Sequence, residues 1–262
     1  MKRIILVLFS LSILTSCNFT EEITFNEDGS GEFLMRYDMS EVMKKMEQEM
    51  GGGQNKEEKE QVKLDSVVYF KDMLVEKADS IATLPVEEQE LLKSLESVVM
   101  KMHMDEANGV FDFGFGSSFT SLEELPEVLE KIEQAKQLNS KDNAQYSKMD
   151  ESAVSRASEN MFEYVDFSYD GKTFSRSLKK DYKQSPEDIE ALDKEVSDMG
   201  EAKDMFGSMS YTLIYRFPKA VKSVTNENAV ISEDGKTVTL KANFIDMIKS
   251  PETMTLDVIL ED

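Results

Sequence analysis

Four short turn sequences divide this chain into paired segments, and they constrain its fold more than any other feature. Asn-Gly and Asp-Gly dipeptides are favoured in tight hairpin turns, because these residues accept the positive φ that a type I′ turn requires. The chain is therefore predicted to form four β-hairpins. The turns are Asp28-Gly29-Ser30-Gly31, Asn108-Gly109, Asp170-Gly171 and Asp234-Gly235, and the predicted strands are 23–27 with 32–37, 99–105 with 110–115, 162–169 with 172–178, and 230–233 with 236–242.

The predicted strands alternate between apolar and polar residues. Alternation with a period of two places the apolar residues on one face, which indicates a sheet that is covered on one side. The clearest stripes are Met100, Met102 and Met104 with Phe111, Phe113 and Phe115 on the partner strand, then Met209, Tyr211, Leu213, Tyr215 and Phe217, and finally Met254, Leu256, Val258 and Leu260.

Segments with helical periodicity lie between the hairpins. Ser121 and Glu124 form a capping box before apolar residues spaced three and four apart. Ser185 precedes Pro186 at the start of a second amphipathic segment. A third helix is predicted to begin at Ser40, and two more are predicted over 64–81 and 85–95.

Strands and helices are interleaved along the whole length of the chain. This order predicts a single α+β domain over residues 23–262, in which an antiparallel sheet built from the hairpins carries amphipathic helices on one face. Residues 51–60 are rich in glycine and then charged, and residues 139–160 are polar with little periodicity. Both segments are predicted to be mobile loops.

The first seventeen residues have the pattern of a secretory signal, with Lys2 and Arg3 before a short apolar run and small residues at its end. The run is shorter than the roughly 20 apolar residues needed to span a bilayer. Leu14-Thr15-Ser16-Cys17 resembles the lipobox of bacterial lipoproteins. The resemblance implies a signal peptide over 1–16, and a lipid on Cys17 that anchors the mature chain to a membrane. The alternative is an ordinary signal peptide followed by a free thiol.

Residues 17–22 are predicted to be the lipidated cysteine and a short tether, whose five residues after Cys17 reach at most about 17 Å. Glu21 and Glu22 resemble the acidic tag that some Bacteroidetes-type lipoproteins use for surface export. The resemblance implies a cell-envelope location, at the periplasmic face or the cell surface of the outer membrane.

The chain is strongly acidic, with 52 Asp and Glu against 30 Lys and Arg and a formal net charge of −22. Nucleic acid is excluded as a partner, because phosphate binding needs clustered basic residues and the sequence has none. The acidity favours solubility, or the electrostatic steering of a basic partner. No segment after Cys17 is apolar for long enough to cross a membrane.

A second resemblance concerns the two ends of the mature chain. The hairpin at Asp28-Gly29-Ser30-Gly31, close behind Cys17, is similar to the start of LppM-like envelope lipoproteins, and the segments 211–218 and 234–240 are similar to their end. This resemblance implies a membrane-attached α+β module that has no catalytic residues to carry over. That family commonly has a tryptophan near the final hairpin, whereas this chain has none.

The main candidate for a reactive site is the segment Met100-Lys101-Met102-His103-Met104. Thioethers and imidazole are soft ligands that suit copper, but alternation along a strand directs His103 away from the three methionines. We therefore predict no metal and no cofactor; the alternative is copper bound by methionines from several elements, without a histidine. One histidine and the absence of nucleophile or phosphate-loop motifs predict a protein that is not an enzyme. The enzymatic alternative is a metal-dependent hydrolase that uses carboxylates.

Two functions follow from these observations. The first is a lipid-anchored, non-enzymatic module that binds an envelope protein or another envelope component. The alternative is a carrier or binder of a small hydrophobic or lipid ligand, held in a cavity between sheet and helices. The predicted lining of that cavity is Met100, Met102, Met104, Phe111, Phe113 and Phe115.

Overall fold

The computed structural model describes residues 18–40, 44, 63–130, 164–198 and 207–262, which form two β-sheets with short helices between the strands. The strands are β1 (Asn18–Phe25), β2 (Gly31–Asp38), β3 (Lys63–Tyr69), β4 (Val98–Asp105), β5 (Val110–Phe119), β6 (Val165–Tyr169), β7 (Thr173–Leu178), β8 (Ser210–Arg216), β9 (Val221–Val224), β10 (Val230–Ile231), β11 (Thr237–Asn243) and β12 (Leu256–Leu260). The helices are α1 (Phe70–Glu76), α2 (Ala78–Ile81), α3 (Val86–Ser94), α4 (Pro186–Asp198) and α5 (Phe244–Lys249), with further helical residues at 125–130.

All four predicted hairpins are confirmed. The pairs β1–β2, β4–β5, β6–β7 and β10–β11 are antiparallel, and each is closed at its predicted turn. The turn glycines Gly29, Gly109, Gly171 and Gly235 have φ values of 86°, 60°, 85° and 72°. Positive φ is the conformation for which glycine is favoured at such turns.

The large sheet has the strand order β10-β11-β8-β1-β2-β5-β4-β3. Its neighbours pair antiparallel except β1 and β8, which are parallel. We call the face that carries Ile23, Phe33, Tyr215 and Val238 the inner face; these four side chains are at most 1% exposed. In the strand order given above, β1 lies inside the sheet, between β2 and β8.

A second sheet, with the order β6-β7-β12-β9, covers part of the inner face. Its residues Phe174, Val258 and Leu260 are fully buried in the same core as Ile23 and Tyr215. The predicted α+β class is confirmed. That these strands form a sheet of their own was not predicted, because alternation gives each strand a buried face without naming its neighbours.

The two amphipathic segments with serine caps differ in how they begin. In α4 the Ser185 hydroxyl accepts a hydrogen bond from the Asp188 amide at 3.0 Å, as the predicted N-cap requires. Ser121 precedes a single 3₁₀ turn at Leu122–Glu124. The Glu124 carboxylate there reaches back one residue further than a capping box, to the Thr120 amide.

The helix predicted over 64–81 is wrong in its first part. Residues Lys63–Tyr69 form β3, which pairs with β4 along its whole length, and helices α1 and α2 follow it. Leu64, Val67 and Val68 fit a helical spacing, but the β-branched pair Val67-Val68 followed by Tyr69 also favours a strand. The helix predicted over 85–95 is confirmed as α3.

The tether predicted over 17–22 is also wrong for residues 18–22, which belong to β1. The backbone of these residues pairs with β2 on one side and β8 on the other, so it is held in the sheet. The signal peptide over 1–16, Cys17, the loops at 51–60 and 139–160 and the helix beyond Ser40 lie outside the described residues. In the part of the chain that is described, no helix is long and apolar enough to cross a membrane.

Candidate functional site

A buried ion pair connects the two sheets. Arg176 of β7 donates from Nη2 to Glu21 Oε2 of β1 at 3.3 Å and from Nε to Oε1 at 3.4 Å. The hydroxyls of Tyr211 and Tyr215 on β8 donate to the same carboxylate at 2.7 and 2.5 Å. The Met254 carbonyl accepts from Arg176 Nη1 at 3.0 Å. We call Glu21, Arg176, Tyr211 and Tyr215 the Glu21–Arg176 cluster.

The cluster is closed to solvent. The side chains of Glu21 and Arg176 are 0% and 2% exposed, and each carboxylate oxygen accepts two hydrogen bonds. Burial on its own lowers the pKa of Arg176, but the charge of Glu21 and the tyrosine oxygens raise that pKa above its ordinary value. A saturated, inaccessible ion pair cannot receive a substrate. We therefore assign the cluster a structural role, in which it fixes the second sheet against the first.

The tyrosines of the cluster provide a test by alkaline titration. Burial first, and then the charge of Glu21, raise the pKa values of Tyr211 and Tyr215 well above 10. A tyrosine whose pKa is raised in the folded state stabilises the fold fully below about pH 10, which is the ordinary tyrosine pKa. This stabilisation is lost as the pH rises beyond that value. In a spectrophotometric titration we expect both phenols to ionise only together with unfolding. Gradual ionisation of all eight tyrosines near pH 10 would contradict this burial.

The structure pairs the six predicted ligand-lining residues directly. Met100 lies opposite Phe115, Met102 opposite Phe113 and Met104 opposite Phe111 in the antiparallel register of β4 and β5. All six are on the inner face and are half-buried rather than sealed in the core. The predicted shared face is confirmed, while a ligand cavity at this methionine–phenylalanine stripe stays a prediction.

Aromatic rings extend the stripe across the sheet. Phe113 stacks on Tyr37 of β2 with ring centroids 5.0 Å apart, and Tyr37 meets Phe19 of β1 edge-on at 5.5 Å. Phe19 in turn stacks on Phe244 of α5 at 4.5 Å. Phe19 and Tyr37 were not among the predicted lining residues. Each of the two alternates with buried residues along its own strand, and this pattern in the sequence could have placed both on the inner face.

His103 lies on the opposite, outer face of the large sheet. Its side chain is 48% exposed, and its Nδ1 is 3.9 Å from an Asp65 carboxylate oxygen on β3. In the register it also faces Asp112 of β5. The predicted separation of His103 from the three methionines is confirmed. Within the described ranges, no group of three or more His, Cys, Asp or Glu residues is arranged to hold a metal ion.

The first strand has a direct bearing on the predicted lipid anchor. Asn18, the residue after Cys17, is already paired with Asp38 and Ser210 in the sheet, and its side chain accepts a hydrogen bond from the Ser210 hydroxyl. Glu21 is buried in the ion pair, and the Glu22 carboxylate contacts Arg36 and Arg216. The two glutamates are therefore parts of the fold, which weighs against their interpretation as a free export tag.

The fold and its buried cluster define an α+β protein, and comparison with known proteins adds little to that class. No protein-family model matches the chain, and no curated protein matches it. Among solved structures, the NMR structure of the folded domain of Mycobacterium tuberculosis LppM is similar at 9% sequence identity and a TM-score of 0.35. The match covers 94% of this chain and 89% of that one.

Proposed function

We propose that this chain is a lipid-anchored protein of the cell envelope that binds another envelope component without catalysing a reaction. The observation that carries the proposal is the junction at Cys17. The sequence Leu14-Thr15-Ser16-Cys17 comes directly before the residues of β1, Asn18–Phe25. Cleavage before Cys17 would leave the whole strand in the mature chain and would remove only the apolar leader.

The location of the junction also supports a close attachment to the membrane. Consecutive Cα atoms are about 3.8 Å apart, so a lipid on Cys17 would be separated from an inner strand of the large sheet by a single residue step. The domain would then be held directly at the bilayer, at the periplasmic face or the surface of the outer membrane, with no flexible stalk.

The proposed absence of catalysis is supported by the chemistry of the described residues. The buried Glu21–Arg176 cluster is inaccessible, and His103 is exposed on the outer face of the large sheet with one carboxylate oxygen at 3.9 Å. An apolar stripe that is only half-buried favours binding over reaction, because methionine and phenylalanine side chains offer contact area and no reactive group.

Replacing Cys17 with serine tests the anchor. We expect the Cys17→Ser chain to retain its leader and to lose the lipid mass, so that any membrane association left comes from the apolar leader and not from a lipid. Mass spectrometry of the N-terminal peptide and fractionation of cells in carbonate measure these outcomes. Ser16→Gly is the matched control, since it keeps a small residue before the cleavage site and should be processed as the wild type is. A Cys17→Ser chain that is cleaved at the same bond and stays with membranes would refute the anchor.

A second candidate function is the binding of a hydrophobic or lipid ligand. It is favoured by the continuity of the methionine–phenylalanine stripe with the rings of Tyr37 and Phe19. Native mass spectrometry of the chain after removal of its anchor should then detect a bound small molecule. A spectrum that contains the bare protein alone, after gentle extraction from the cells, would favour the first function.

A further inference from the structure

The outer face of the large sheet carries a notch at Gly116 with a volume of about 230 Å³. Its apolar part is formed by Leu34 of β2, Val99 of β4 and Tyr69 of β3, which lie in one row with Gly116 across four neighbouring strands. The polar residues at its rim are Glu32, Lys71, Glu96, Lys101 and Ser118. We call this depression the Gly116 notch.

The notch is built into the backbone of the sheet. Gly116 lies between Leu34 and Val99 in the register, and it contributes no side chain to the row. A Cβ atom on Gly116 would overlap the carbonyl oxygen of Phe33 on β2. No other residue fits this position without moving a strand, so the row of outer side chains is interrupted at Gly116.

Exposed apolar side chains lie beside the notch. Val67 and Tyr69 on β3 are 48% and 45% exposed, and both lie on the outer face beside the notch. The Lys71 ammonium lies 5.5 Å from the centre of the Tyr69 ring. An apolar centre with a polar rim is the usual anatomy of an interface between proteins.

The charge of the rim distinguishes the notch from the rest of the chain. Lys71 and Lys101 balance Glu32 and Glu96 there, although the chain as a whole carries a net charge of −22. A rim with both signs can pair with the mixed side chains of a protein. It does not match a polyanion or an anionic lipid surface, which would need an excess of basic residues.

The size of the notch indicates what fills it. Sites for small-molecule ligands are typically about 300–1,000 Å³, whereas a single large side chain from a partner suits a smaller, open depression. Anchor residues of this kind are enriched in tryptophan and tyrosine. We propose that the Gly116 notch is a docking site that receives one aromatic side chain of a partner protein. Only the identification of that partner as an envelope protein rests on the proposed function.

The docking of an aromatic group can be tested with N-acetyl-tryptophanamide as the probe. In amide and methyl NMR spectra of the full chain, purified from membranes in detergent, we expect shifts at Gly116, Leu34 and Val99. Val99→Phe should abolish them by filling the notch, and Val230→Phe on the far edge strand should leave them unchanged. Tyr69→Ser changes an exposed side chain and should weaken binding roughly tenfold.

Three results would overturn the proposal in this experiment. The first is the absence of shifts at millimolar probe. The second is an unchanged response in both Val99→Phe and Tyr69→Ser. The third is a response to N-acetylglucosamine in place of the aromatic probe, which would assign the notch to a glycan.

Cross-linking in cells tests the partner. With p-benzoylphenylalanine at position 67 we expect one cross-linked protein, which disappears in the Val99→Phe background and is not captured from position 230. A product that consists of two copies of this chain, or no product at all, would overturn the proposal. If the anchor proposal alone is wrong, the Cys17→Ser chain is processed as the wild type is and keeps both the cross-link and the NMR response. Failure of the docking proposal removes both from the wild-type chain, so the two failures are distinguishable.

Discussion

Replacing Arg176 with methionine is expected to lower the free energy of unfolding by about 3–5 kcal/mol, the usual cost of removing one partner from a buried ion pair. The substitution leaves the Glu21 carboxylate in the core with two tyrosine hydroxyls but no positive charge. Methionine has a similar length, so the loss comes mainly from the uncompensated charge. Chemical denaturation of the unacylated chain, followed by circular dichroism, measures the difference.

Two controls separate the buried charge from other effects. Arg36→Met removes a side chain that is 45% exposed and contacts Glu22 and Asp112, and it should cost about 1 kcal/mol or less. The double substitution Glu21→Leu with Arg176→Met should recover most of the stability, because it removes both charges together. If Arg176→Met costs no more than Arg36→Met, the ion pair does not lie in the core.

The ion pair also ties the predicted anchor to the interior of the fold. Glu21 is four residues after Cys17 in the sequence, and its strand β1 is paired on both sides. A force applied at Cys17 would therefore act on an inner strand that is linked to both sheets. The proposed anchor would thus limit the orientations in which the domain can meet a partner near the membrane.

The local structure of the hairpins was predictable because its causes are local. The turn at Asn108-Gly109 and the alternation of Met100 to Met104 depend on neighbouring residues, and both were predicted correctly. The segment 63–69 was predicted wrongly, because the spacing of its apolar residues fits a helix. Its pairing with β4 makes it a strand. Contacts between distant strands, rather than propensity, select the strand there.

The Glu21–Arg176 cluster left a weak signal in the sequence. Glu21 lies on the apolar side of β1 between Phe19 and Ile23, and Arg176 follows Phe174 on the buried side of β7. A charged residue on each of two buried faces indicates a buried pair, but 52 acidic residues give no reason to choose Glu21 as the partner. The Gly116 notch could not be predicted, because β2 and β3 are distant in sequence from the β4–β5 hairpin with which they form it.

Phe174→Ala should have the second large effect, a loss of about 3–5 kcal/mol. The Phe174 ring is fully buried, and its centroid lies 4.8 Å from that of Tyr215 and 5.4 Å from that of Phe25, both on the large sheet. Truncation opens a cavity between the sheets, whose rigid rings cannot collapse to fill it. The same denaturation experiment measures the loss.

Ile259→Ala is the matched control for Phe174→Ala. Ile259 lies on the neighbouring strand β12 and is 37% exposed, so its truncation should cost about 1 kcal/mol or less. Phe174 supplies an apolar contact between the sheets and Arg176, two residues along the same strand, supplies a polar one. If both large losses occur in a single cooperative transition, the two sheets fold as one unit. A small loss at Phe174, equal to that at Ile259, would mean that the second sheet is not packed on the first.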